Sequence, residues 1–469
     1  MNPKYDKTWT SLAEYPVAKW FLEDKFGIYT HWGPYSVPAY GENGTWYPFH
    51  MYNTDHPVYR HHTRTYGPPT EFGYKDFIPM FKAEKFDAEE WAEIFKKSGA
   101  RFAGPVAEHH DGFAMWDSKL TKWNSKNMGP KRDVTGELAR AIRAQGMRFV
   151  TTFHHAQNWW HFPSWDSSYD CSNPEYKGLY SRPHEQDERP DREYLDIWLN
   201  KLKEVIDNYQ PDLIWFDFRL NDIRESYRRD FLSYYYNKSV EWGKEVVVTY
   251  KVHRGRHHLP PNVAVLDLEL GKMNEMTEHV WITDSTVDAG QGWSFVKDIG
   301  FKSAERLVHN LVDRVSKNGY LLLNVGPRAD GSIPDGAKGA LEGIGKWLEI
   351  NGEAIFGTTP WLTAGEGPTD VKGGGGFNEN NEVRMNARDI RYTTKGRAIY
   401  AVCMGRPSDE FTAKQLGLLY DDEIESVRML GIDRDLKWRC DLNEGLTVEV
   451  PEKLPPCEHA YAFKITTAG

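Results

Sequence analysis

Residues 87–111, DAEEWAEIFKKSGARFAGPVAEHHD, decide the fold. Asp87 stands where a helix N-cap belongs, Glu90 follows three places on, and Trp91, Ile94 and Phe95 recur at helical spacing until Gly99 stops the run. The next segment, Arg101 to Glu108, is short and mostly apolar, the pattern of a buried strand, and it delivers His109, His110 and Asp111 at its C-terminal end. The same order then repeats. TGELARAIRAQG (135–146) reads as a helix closed by Gly146, MRFVTTF (147–153) as a strand, and His154 and His155 follow. A helix from Tyr194 to Tyr209 leads into a strand from Asp212 to Phe216 whose terminus is Asp217.

Upstream, Phe26 to Thr30 reads as a strand that ends at His31. Downstream, strands are expected at Glu245 to Lys251, Val263 to Leu270, Glu278 to Thr283 and, after a helix from Ser303 to Ser316, at Tyr320 to Val325. Strands that alternate with helices pair in parallel, and about eight of them over some 350 residues predict an α/β fold, a (β/α)8 TIM-like barrel with its chemistry at the strand C-termini. Beyond Phe356 the character changes. GEGPTDVKGGGGFNENNE (365–382) reads as a Gly-rich, polar loop or linker, and the short alternating runs after it predict a C-terminal β-sandwich without catalytic residues. The expected division is therefore 1–356 for the barrel and 357–469 for the sandwich.

Composition excludes several classes. A net charge of −10 leaves no basic field for nucleic acid, and no apolar run is long enough to span a membrane. A soluble chain is expected, compatible with secretion or a periplasmic location after loss of a signal peptide. Four cysteines are too few for a disulfide scaffold, although Cys440 and Cys457 are placed to pair within the C-terminal sheet. The chain has 18 Trp, and the stretch FGIYTHWGPYSVPAYGENGTWYPFHMY (26–52) crowds Trp32, Tyr35, Trp46 and Tyr47 around His31. Such neighbours suit a cyclic ligand, whose hydroxyls need fixed polar partners while its C–H faces pack on aromatic rings.

Five segments together carry a family resemblance. FGIYTHWGPYSVP, EHHDGFAMWDSKLTKWNS, KRDVTGELARAIRAQGMRF, PDLIWFD and GYLLLNVGPRADGSIP, in that order between about Lys25 and about Trp361, resemble the successive motifs of the α-L-fucosidases of glycoside hydrolase family 29. The resemblance implies a retaining glycosidase acting on terminal α-L-fucosyl residues of fucosylated glycans, without a cofactor. It implies Asp217 as nucleophile, His31, Trp46, His109 and His110 as fucose contacts, and Trp215 as pocket lining. Three positions depart from the family pattern: Lys251 where Arg is usual, Thr45 where an acid is common, and Phe153 with His154 where a wall is often Tyr.

A retaining pair needs its carboxyls about 5–5.5 Å apart. For the acid, Glu269, Glu275, Glu278, Asp284 and Asp288 are the candidates after the sixth strand; Glu278 matches a family Trp-Glu position before the seventh strand and is the expected acid, with Asp284 next. The pairs His61-His62, His154-His155 and His257-His258 give poor metal-ligand spacing, because adjacent strand residues point oppositely, so no metal is expected. The cluster Arg254, Arg256, His257 and His258 would favour sulfated fucan oligosaccharides if it faced the pocket. A different class is also open: a lectin-like fucose-binding protein on a barrel that has lost catalysis. The oligomeric state is not written in the sequence.

Overall fold

The structure, a computed structural model, describes residues 3–253, 255–371, 373–379 and 384–468. Eight parallel strands close into a barrel: β1 (Phe26–Thr30), β2 (Phe102–Glu108), β3 (Arg148–Phe153), β4 (Leu213–Phe216), β5 (Val247–Lys251), β6 (Val265–Asp267), β7 (Trp281–Thr286) and β8 (Gly319–Val325). Closure is made by β1, which pairs with β2 on one side and β8 on the other. Nearly every strand residue is buried, as expected of a parallel sheet covered on both faces. Helices Ala88–Lys97, Val134–Ala144, Arg192–Tyr209, Glu225–Trp242, Ala304–Ser316 and Asp335–Asn351 cover the outside. Asp87 caps the first of them by accepting from the amides of Glu89 and Glu90, and Gly99 takes the left-handed conformation that ends it.

The seventh strand starts at Trp281, three residues later than the sequence pattern predicts, and runs on to Thr286. The cause lies at the bottom of the barrel, where the Asn318 side-chain amide donates to the carbonyls of Thr277 and Glu278 and holds them in a turn below the strand.

The C-terminal region is antiparallel throughout. One sheet has the order β13-β16-β11-β10-β9 and the other β12-β15-β14, where β9 is Thr359–Glu366, β10 Ile390–Lys395, β11 Ala398–Cys403, β12 Glu410–Ala413, β13 Ile424–Met429, β14 Trp438–Asp441, β15 Gly445–Glu449 and β16 Tyr461–Thr467. It docks on the barrel through helix Ala304–Ser316, which lies against β9 and β10, through the Asp313–Arg391 ion pair (2.6 Å), and through the Trp347 indole donating to the carbonyl of Ala460. All four cysteines are free, which overturns the expected Cys440–Cys457 bridge: the Cys440 thiol faces the carbonyls of Leu416 and Leu419, and that of Cys457 the carbonyl of Ala460.

The Gly-rich run is not a linker over its described part. Gly373 to Glu379 lies alongside the loop after β6: Phe377 N–H donates to the carbonyl of Glu269, Asn378 and Glu379 N–H to that of Leu270, and Lys272 N–H to that of Gly375. Lys372 and residues 380–382 of that run lie outside the described residues, as does Arg254.

Candidate active site

The C-terminal ends of the barrel strands open into a cavity of about 590 Å³. His31, just past β1, donates from Nδ1 to Asn324 Oδ1 (2.8 Å), and the Asn324 amide is itself oriented because its Nδ2 donates to the carbonyl of Trp293. Nε2 of His31 is thereby left for the cavity. His110, past β2, donates from Nδ1 to the carbonyl of His154, which turns its Nε2 toward Asp217 Oδ2 at 3.3 Å. Burial pushes the His110 ring down to about 3 even with Asp217 beside it, so this contact is not an ion pair. His109 and His154 are also held below the ordinary histidine range by burial, and their rings lie 4.4 Å apart. The histidine wall is therefore neutral, a set of hydrogen-bonding groups without charge.

The charge is on the other wall. Asp217, one residue past β4, accepts from His154 Nδ1 at 3.0 Å and lies 3.0 Å from the Lys251 ammonium. Burial alone would raise its pKa, but Lys251 and the His154 donor outweigh burial and hold it well below the usual carboxylate range. Lys251, the last residue of β5, also reaches Glu269 Oε2 at 2.7 Å and Asp284 Oδ2 at 3.0 Å. One ammonium thus serves three carboxyls. A fourth, Asp267, accepts from the Trp215 indole at 2.6 Å. With more carboxyls than cations, the pKa values separate. Burial and the neighbouring Asp267 push Asp284 well up, and burial, offset in part by Lys251, leaves Glu269 at about 7. Both line the cavity, but Glu269 keeps a fifth of its side chain exposed, whereas Asp284, at its bottom, keeps 1%.

Asp217 and Glu269 both touch Lys251, so those oxygens are no farther apart than 3.0 and 2.7 Å laid end to end. Comparison with known proteins gives the family. Residues 1–353 match the α-L-fucosidase family model and residues 383–466 that of the α-L-fucosidase C-terminal domain. The human tissue α-L-fucosidase is 31% identical over 99% of this chain and 92% of its own length. The chain belongs to the α-L-fucosidase family. It is a glycoside hydrolase of family 29. A Thermotoga maritima α-fucosidase solved with a mechanism-based inhibitor superposes with a TM-score of 0.78 at 30% identity, covering 98% of this chain and 100% of that one. The same enzyme with fucose gives 0.77.

Of the residues expected at an α-L-fucosidase site, His31, Trp46, His109, His110, His154, Asp217 and Lys251 line the cavity together. Three expectations are corrected. Glu278 is exposed at the N-terminal end of β7, on the opposite end of the barrel, because the strand starts only at Trp281. Phe153 points outward, packing near Trp116, His155 and Phe216, since strand alternation gives the inward place to His154. Trp215 points inward but lies one layer too deep to line the cavity; its ring supports His154 and Lys251 from below. Of Trp32, Tyr35, Trp46 and Tyr47, Trp46 alone lines the cavity, while Trp32 packs on Phe81, Phe86 and Trp91.

The adjacent histidine pairs are not the groups that converge in space. Different strands bring His31, His109 and His154, and again His110, His154 and Asp217, within 4.8 Å of one another, a convergence invisible in the adjacent-pair spacing. A cation in the second set would sit on a carboxylate already 3.0 Å from an ammonium and accepting from His154 Nδ1, so that set fits a metal poorly.

Sequence reasoning ranked Glu269 behind Glu278 and did not mark Asp267, Asn43, Phe218, Trp293 or Phe377, all of which line the cavity. The signal for the acids was present in LDLEL (266–270). Asp267 and Glu269 stand two apart, on one face, at the C-terminal end of a strand.

Proposed function

We propose that this protein is an exo-acting retaining α-L-fucosidase that removes terminal α-L-fucosyl residues from fucosylated glycans by double displacement. The observation that carries this reading is the split between two carboxyls on one ammonium: Asp217 ionised, Glu269 at about 7 and holding a proton near neutrality. Asp217 attacks the anomeric carbon as the bond to the leaving oxygen breaks, and Glu269 transfers its proton to that oxygen. In the second half, Glu269 takes a proton from water as the oxygen of that water displaces Asp217. Lys251 suits both halves. As Asp217 loses its charge to the ester, Glu269 acquires one, so the ammonium faces the same total charge throughout. A lysine, as a compact point charge, can do this for three carboxyls where a guanidinium fork would commit to one.

The neutral histidines are arranged to exchange hydrogen bonds with the sugar hydroxyls, and Trp46, which faces Phe218 with parallel rings, offers an apolar face. A cavity closed at depth by Asp267 and Asp284 admits a chain end and not a chain interior, which favours exo action. We take residues 1–356 as the catalytic unit and 357–469 as the sandwich, with Gly373 to Glu379 returning to the barrel. Among glycans, sulfated fucan oligosaccharides deserve inclusion because Arg256 and His257 are exposed on the loop whose His253 lines the cavity mouth.

The deciding experiment follows an aryl α-L-fucoside by proton NMR. First-formed α-L-fucose supports retention, first-formed β-L-fucose overturns it, and no turnover with measurable L-fucose binding would leave the lectin-like alternative.

A further inference from the structure

We propose that Phe377 is the platform for the leaving group, a sugar residue that stacks its C–H face on the ring as it departs past Glu269. The inference rests on the fucosidase reading and adds a residue to it. The leaving oxygen must come within hydrogen-bond reach of Glu269, so whatever is attached to that oxygen leaves the cavity beside this residue. Phe377 N–H donates to the carbonyl of Glu269 at 2.7 Å, which makes Phe377 the cross-ladder neighbour of the acid. Its ring lines the same cavity and is 64% exposed. Its backbone is left-handed, with φ 57°, after four consecutive glycines. A fifth glycine would have been the unstrained choice, since a bulky residue there costs about 1–2 kcal/mol. An exposed aromatic held at that cost beside a catalytic carboxyl has the marks of a binding function. The ladder also needs close backbone approach: a Cβ on Gly271 would stand 2.3 Å from the carbonyl oxygen of Gly375.

The test uses Phe377→Gly, which relieves the backbone strain and so does not put folding at risk. Three quantities are measured: kcat/KM on an α-L-fucosyl disaccharide, kcat/KM on α-L-fucosyl fluoride, whose leaving group offers nothing to stack, and the inhibition constant of L-fucose. The disaccharide-to-fluoride ratio should fall roughly two- to tenfold, mainly through KM, with Phe377→Trp restoring it. L-fucose inhibition should stay at the wild-type value. A parallel loss on both substrates, or an unchanged ratio, would overturn the assignment. If wild-type protein neither binds L-fucose nor cleaves the fluoride, the fucosidase reading fails first.

Discussion

Two of the buried charge clusters among the described residues behave oppositely. At the cavity, Asp217, Asp267, Glu269 and Asp284 share the single ammonium of Lys251. Behind β7, on the side of helix Ala304–Ser316, Glu379 is fully buried against Lys302 (2.6 Å) and Arg314 (3.4 Å) and accepts from Ser285 and Asn310. Asp313 on that helix pairs with Lys317 and Arg391. Burial opposes ionisation in both places. Where cations match or outnumber carboxylates, the carboxylates stay down: Glu379 is held at about 2, and Asp313 well below the usual range. Where carboxyls outnumber the cation, one is ionised and others keep protons near neutrality. The ratio of charges, more than burial, separates a structural cluster from one able to do acid–base chemistry.

The largest break in this comparison should come from Asp217→Asn, which removes the nucleophile and leaves Lys251 its other partners. Turnover of an aryl fucoside should drop by about four orders of magnitude with the fold retained by circular dichroism. Substantial activity in the folded variant would mean another group attacks.

Glu269→Ala comes next, at about 10²–10⁴-fold on substrates with poor leaving groups and far less on an activated aryl fucoside, with azide restoring deglycosylation. Asp284→Ala should lack that combined pattern, because Asp284 lies at the bottom of the cavity with its carboxyl taken up by Tyr29 and Lys251. The pH profile gives the same assignment independently. Glu269 must be protonated to act as acid, so wild-type kcat/KM on a natural linkage should fall above pH about 7. Asp217 is ionised throughout the working range and sets no limb there. A basic limb that persists in Glu269→Gln would assign the titration elsewhere.

In the structural cluster, Glu379→Gln should leave Lys302 and Arg314 buried without their counter-charge. A loss on the order of 3–5 kcal/mol is expected, read as a fall in Tm of several degrees. The pH sign follows from the depressed pKa. The contribution of Glu379 is fully present above the ordinary carboxylate value of about 4.3 and is lost as pH falls toward about 2. The variant should therefore lose less stability than wild type across that window. An equal loss in both proteins would show that Glu379 is not the titrating group.

The barrel was legible because each strand is a short apolar run closed by a polar residue, and because helix stops such as Gly99 and Gly146 are local signals. The histidine wall and Asp217 were legible for the same reason. What failed was not local. The start of β7 depends on Asn318, some forty residues away, reaching back to hold Thr277 and Glu278. The depth of Trp215 depends on the layering of the closed barrel. NENNE (378–382) reads as solvated, yet Glu379 enters a pocket of cations drawn from residues 302–314. Composition cannot tell a flexible glycine run from one whose missing side chains permit close approach, and here Gly271 and Gly375 required the second reading.

The smallest expected effect is the most pointed check on the corrected site. Glu278 is exposed, its backbone carbonyl is the atom Asn318 uses, and alanine retains that carbonyl. Glu278→Ala should therefore change stability by no more than about 0.5 kcal/mol and leave both leaving-group dependence and the pH profile at wild-type values. The contrast with Glu269→Ala isolates position from residue type. Both are glutamates on the connection from β6 to β7, within ten residues of each other, one at the C-terminal end of β6 and one below the N-terminal start of β7. If Glu278→Ala instead lost activity on poor leaving groups and recovered it with azide, the acid would be at the wrong end of the barrel for Asp217, and the charge-ratio argument for Glu269 would fall with it.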